Sequence, residues 1–189
     1  MGGINKREHL IKTGQNLIWS KGYDLCSIKD ITSAAGLPKG SFYHYFESKE
    51  KFAIEAMDEF ITAHPEKIPD QIFNIETLTQ LIDNRIKSII KIQYAKECYM
   101  SVMCHAYSEQ EEEFRHNIVA AINKSNESMK HLLAEMKNNG IIKSTINLAE
   151  LEEFIDFSWR GARLKARILK SEEPLKVFKK YLIQFIQNN

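Results

Sequence analysis

Two short segments with apolar residues at helical spacing, 27–35 and 39–46, are separated only by Gly36-Leu37-Pro38. That arrangement leaves the chain few ways to fold. The first segment opens on Ser27-Ile28-Lys29-Asp30, a capping box in which Ser27 is the N-cap and Asp30 reaches back from three residues on. Ile28, Ile31, Ala34 and Ala35 line its apolar side, and Gly36 can supply the left-handed backbone that a sharp turn needs. Pro38 suits the first turn of the second segment, where its missing N–H would be unpaired anyway. The small side chains of Ala34 and Ala35 allow the two helices to cross closely.

Helical periodicity extends through the rest of the chain, and strand signals are nearly absent. Leu10, Ile11, Gly14, Leu17 and Ile18 mark a helix over about 4–20. Ser48 caps another, with Phe52, Ala53, Ala56, Met57, Phe60 and Ile61 on one stripe. Residues 64–74, with two prolines, read as a junction. Beyond it, Leu78 to Ile90 mark one helix, 98–107 a short one, and Phe114 to Met136 a long one closed by Gly140. Asn147 with Glu150 forms a second capping box, opening a helix to about Lys170, and Pro174 lies in the first turn of a last helix ending near Gln187. The expected fold is all-α, with about nine helices. It has an N-terminal three-helix helix-turn-helix domain over 1–47 and a larger C-terminal bundle over 48–189, joined by a linking helix at about 48–63.

Charge is distributed unevenly although the formal net charge is only +1. Residues 1–46 carry six Lys/Arg against three acids, and 160–181 carry eight against two, so local basic surfaces exist. No apolar run approaches the ~18 residues of a spanning helix. No apolar stretch follows Lys6 and Arg7, so no secretory signal is evident. With three cysteines read as free thiols, the expectation is a cytoplasmic protein without membrane contact. The sequence offers no Gly-rich phosphate loop, no metal-spaced cluster and no supported Ser-His-Asp set, so neither an enzyme nor a metal or other cofactor is expected. Cys98, Cys104 and His105 do not follow structural-zinc spacing.

Two short helices joined by a Gly-containing turn form the helix-turn-helix, whose second helix fits the major groove of B-DNA. The stretch GYDLCSIKDITSAAGLPKGSFYHYFESKEKF resembles the DNA-binding domain of the TetR/AcrR family of bacterial transcriptional repressors. The match includes Gly22, Ser27, Asp30, Ile31, Ala34, Ala35, Gly36, Lys39, Gly40, Ser41, Tyr43, Tyr45, Phe46, Ser48 and Lys49. The resemblance implies a recognition helix over 39–46 and double-stranded operator DNA as partner. Lys39, Ser41, Tyr43 and Tyr45 would face the DNA, Gly40 would let the backbone approach, and His44 would lie beside that surface. Lys49 and Ser27 would meet phosphates. Phe42 and Phe46, four residues apart, are expected to pack inward against Leu17, Ile31 and Phe52.

For the C-terminal part, the same resemblance implies a pocket for a small-molecule effector and a homodimer interface. The segments LPKGSFYHYF and GARLKARILKSEEPL are similar to the branch of acrylate- and N-ethylmaleimide-responsive repressors. That branch's Gly-Cys-Leu-x-Gly-Asn is replaced here by Glu97-Cys98-Tyr99-Met100-Ser101-Val102, in which only the cysteine matches. Plausible pocket liners are Tyr94, Cys98, Met103, Tyr107, Phe114, Phe157, Trp159 and Arg160, each with ordinary core as its alternative role. The last two helices would form the dimer, with Phe157, Leu164, Ile168, Val177, Tyr181 and Phe185 on its seam. Arg160, Arg163, Lys165 and Arg167 could attract an anion or pair with Glu150, Glu152, Glu153 and Asp156 across it, and pairing is the expectation. The implied function is a dimeric repressor released from its operator by a small molecule. The alternative is a DNA-binding regulator that responds to thiol modification at Cys98 or lacks a small-molecule inducer.

Overall fold

Side-chain caps set where most of the helices begin. In the computed structural model, which describes residues 5–64, 73–94, 99–105 and 112–188, Asn5, Ser27, Ser48, Asn74 and Asn147 each accept backbone N–H bonds from the first turn that follows. They open α1 (Lys6–Lys21), α2 (Ile28–Ala34), α4 (Lys49–Ala63), α5 (Ile75–Lys91) and α8 (Leu148–Leu169). The remaining helices are α3 (Gly40–Tyr43), α6 (Tyr99–Cys104), α7 (Glu112–Asn138) and α9 (Glu173–Asn188). Nine helices and no strand are present among the described residues, as the periodicity predicts. No helix among them is long and apolar enough to cross a membrane.

One boundary and one cap differ from expectation. The second helix of the motif, expected over 39–46, is α-helical only over Gly40–Tyr43, and Lys39 at its start makes no side-chain cap bond. The turn continues through the Tyr45 and Phe46 N–H groups, both donating to the Phe42 carbonyl at 3.0 Å. The capping box at Asn147 closes differently too: its return bond runs from the Asn147 side chain to Glu150 Oε1 at 3.0 Å.

The chain forms two compact units, Met1–Pro65 with Tyr99–Ser125 and Glu66–Cys98 with Asn126–Asn189. In the first, α1, α2, α3 and α4 enclose Leu10, Ile11, Ile18, Ile31, Phe42, Phe52 and Met57, all essentially inaccessible to solvent. Each such side chain stabilises the fold by roughly 1.5–3 kcal/mol relative to exposure. Trp19 and Phe60 add an aromatic stack with Tyr99 of α6, whose ring lies 4.5 Å from that of Phe60.

In the second unit, α5, the later part of α7, α8 and α9 surround one core that includes Leu78, Ile82, Leu132, Leu133, Met136, Ile155 and Leu182. Trp159 of α8 packs against Phe178 of α9, with the Arg85 guanidinium 5.7 Å from its ring centroid. Lys179 and Asp83, 2.6 Å apart, tie α9 to α5. Glu152, a buried acid on α8, accepts from Asn126 at 2.7 Å and has Lys130 at 3.8 Å. The acid is therefore compensated within the fold, as buried charge requires.

Candidate nucleic-acid interface

The motif is built from its caps inward. At the start of α2 the Ser27 hydroxyl accepts from the Asp30 N–H and donates to Asp30 Oδ2 at 2.6 Å, while the Ser27 N–H donates to the same oxygen at 2.9 Å. The carboxyl of Asp30 is held below its ordinary range, first by the hydroxyl and then by the backbone donor. At the end of α2, Gly36 takes φ +68° and the Leu37 N–H donates to the Thr32 carbonyl at 2.8 Å. This is a Schellman stop, which turns the chain sharply toward α3.

The aromatic segment Ser41–Phe46 then divides into two faces. Phe42 is fully buried and Phe46 almost so, and both rings close on Phe52 of α4, with centroids 5.4 and 5.0 Å away. Tyr43 and Tyr45, which lie between them in sequence, are 55% and 37% exposed. Lys39, Gly40 and His44 are also exposed, and Ser41 is half-buried. Beyond its chain neighbours and its own helix backbone, no atom lies within 4 Å of where a Gly40 side chain would begin, so the backbone there is open to an approaching surface. Six of the expected DNA-facing residues thus come together on one short turn.

The other two sit differently. Ser27 is exposed, but its hydroxyl is committed to Asp30. Lys49, first residue of α4, folds back so that its ammonium donates to the Tyr23 carbonyl at 2.6 Å and lies 3.9 Å from the Tyr23 ring centroid. Two of its three N–H bonds remain for other acceptors. Tyr23, which the sequence reading did not single out, is itself buried and supports this surface from beneath by holding Lys49. Its only local signal is an aromatic just after the helix-ending Gly22.

The expected pocket liners do not converge within one unit. Met103 and Phe114 are buried in the first unit, where Phe114 packs on Tyr23 at 5.3 Å. Tyr94, Trp159, Arg160 and Phe157 belong to the second. Trp159 is core, Tyr94 is half-buried after α5, and Phe157 is 60% exposed. Cys98 and Tyr107 lie outside the described residues. Cys26 is buried and its thiol is pushed up by burial, whereas Cys104 is exposed. Among the described residues no group of three or more His, Cys, Asp or Glu is poised to hold a metal ion.

The expected seam residues are all exposed on α8 and α9: Phe157, Leu164, Ile168, Val177, Tyr181 and Phe185. On α8 they continue to Phe154, which the sequence reading missed and which meets Phe157 edge-on at 5.5 Å. With Gly161 between, positions 154, 157, 161, 164 and 168 repeat every three and four residues, the spacing of a helix-pairing stripe. The expectation that the nearby charges pair across this face is corrected in part. Arg160 bonds Asp156 at 2.8 Å one turn earlier on its own helix, and Glu152 is engaged inside the unit.

A family model for bacterial regulatory proteins of the tetR family matches residues 10–56, and one for tetracyclin repressor-like C-terminal domains matches residues 75–182. The chain is 27% identical over 173 residues to the transcriptional repressor DhaR of Mycobacterium sp. (strain GP1), covering 91% of this chain and 87% of that protein. It is 24% identical over 178 residues to the repressor NemR of Escherichia coli (strain K12), covering 89% and 87%. The fold matches the crystal structure of a TetR regulatory protein from Rhodobacter sphaeroides with a TM-score of 0.80 at 21% identity, over 94% of this chain and 96% of that one. The family and these relatives are transcriptional regulators rather than enzymes. With models matching both its N-terminal motif and its C-terminal bundle, the chain belongs to the TetR family of bacterial regulatory proteins.

Proposed function

We propose that the protein is a dimeric repressor that binds operator DNA through α3 and leaves it when a small molecule binds its C-terminal part. One observation carries this reading: Phe42 and Phe46 are buried while Tyr43 and Tyr45, on the same turn, are exposed. A helix this short has no stability of its own. Its two phenylalanines anchor it, and the opposite face is free for another surface. Lys39 and Ser41 are the candidates for base edges, and the Tyr43 and Tyr45 hydroxyls, with Lys49, for phosphate oxygens.

A single motif reads a short half-site weakly, and a two-fold dimer sets two recognition helices about one DNA turn apart, ~34 Å. The apolar stripe on α8 and its neighbours on α9 support pairing of two copies there. Gly161, with open space where a side chain would begin, leaves room for a partner helix at the middle of the stripe. Release follows as a population shift toward a form whose two α3 helices no longer match the half-sites. Within the first unit α4 is held to α7 by the Lys51–Glu113 pair and by Lys124 to Asp58 at 2.5 Å, so α4 responds to displacement of α7.

Selection of bound duplexes from a random pool, followed by footprinting, tests the reading. The expected product is an inverted repeat with half-sites about one turn apart. Binding with no sequence preference above the non-specific level would overturn it.

A further inference from the structure

A groove of about 640 Å³ runs between α5 and α9, within the range of small-molecule sites and apart from the stripe assigned to pairing. Its apolar part is Ile86 and Ile90 of α5 with Ile183 of α9. Around these stand four lysines against two acids. Lys179 is neutralised by Asp83 and Lys176 by Glu172, each at 2.6 Å. Lys87 on α5 and Lys180 on α9 remain, on opposite walls, and neither has a carboxylate partner among the described residues. The Lys180 ammonium lies 5.7 Å from the Tyr181 ring centroid.

Charge and apolarity together select the occupant. Lys87 and Lys180 are both exposed, so a neutral apolar molecule would cover the isoleucines but gain nothing from the two ammonium groups. A hydrophilic polyanion would satisfy the ammonium groups and gain nothing from the apolar floor. An anionic head on an apolar body satisfies both. We propose that the α5–α9 groove binds an amphipathic organic carboxylate, its body over Ile86, Ile90 and Ile183 and its head between Lys87 and Lys180.

Binding of this ligand does not depend on the repressor reading; only the consequence that it releases the operator rests on it. Calorimetric titration of the full chain with decanoate and with decanol tests the site. Decanoate is expected to bind at least tenfold more tightly than decanol. The K87E/K180E variant is expected to lose at least tenfold in decanoate affinity with decanol binding unchanged, and K87R/K180R to bind decanoate as the unmodified chain does. Equal affinity for the two ligands would overturn the proposal, as would undiminished decanoate binding by K87E/K180E. Decanoate that binds with the predicted charge dependence yet leaves operator affinity unaltered supports the site and contradicts its role as the release site.

Discussion

The ring of Phe52 on α4 fills the space that a side chain at Gly14 on α1 would occupy: a Cβ there would lie 2.3 Å from Phe52 Cζ and 3.3 Å from Ile31 Cγ2. The same ring seats Phe42 and Phe46, so the absence of one methyl group on α1 fixes where the recognition turn sits. Gly14→Ala is expected to destabilise the chain by about 1–3 kcal/mol through overpacking. Combined with Phe52→Leu, its cost should be less than the sum of the two single changes, because the sites share a contact. Urea unfolding of the four proteins measures this, and an unperturbed Gly14→Ala protein would contradict the packing described.

How much of this was legible in the sequence depends on distance along the chain. Caps and stripes were readable because Ser27 and Asp30, or Phe42 and Phe46, act within one helical turn. Gly14 was visible only as a member of an apolar face; its role comes from Phe52, 38 residues away. Lys49 likewise looked like a free cation at a helix start, and the Tyr23 carbonyl that holds it comes from before α2. The pocket liners fared differently for another reason. In a helical bundle, Trp159 or Met103 has the same local pattern whether it lines a cavity or fills a core, so sequence spacing alone does not separate the two.

Asp30 gives a pH signature. Its folded-state carboxyl is held below the ordinary value by Ser27, so the stabilisation is fully present above the ordinary carboxylate range and is lost as pH falls through the lowered value. The difference in Tm between the unmodified chain and Asp30→Asn should therefore be largest near neutral pH and shrink on acidification toward pH ~3. A difference that stays constant over that range would contradict the capping geometry.

Lys170 ends α8 in the left-handed conformation, φ 50° and ψ 41°, where glycine is the usual residue. The strain of a side chain there is about 1–2 kcal/mol, and glycine's greater unfolded-state freedom offsets roughly 0.5–1 of it. Lys170→Gly is expected to stabilise the chain by about 0.5–1 kcal/mol on this balance. Gly36→Ala, at φ +68°, is expected to shift stability in the opposite direction. Thermal unfolding of both variants checks the pair of signs.

The α8–α9 face makes a separate prediction. Ile168 and Tyr181 are 72% and 62% exposed, so a charge at either position costs little within one copy. Ile168→Glu combined with Tyr181→Glu should give monomers by sedimentation velocity while the far-ultraviolet circular dichroism stays that of the parent. A dimer that survives both changes would place the interface elsewhere.

The division of the Ser41–Phe46 turn into an anchoring face and a reading face is tested most directly by comparing Tyr43→Phe with Phe42→Ala on a selected operator duplex. Tyr43→Phe is expected to weaken operator binding by about 1–2 kcal/mol through loss of a hydroxyl bond to phosphate, with the unfolding midpoint unchanged. Phe42→Ala should instead lower stability by about 3–5 kcal/mol, because it empties a fully buried site. Operator affinity of Tyr43→Phe equal to that of the parent, at matched salt and with the fold intact, would contradict the assignment of that face to DNA.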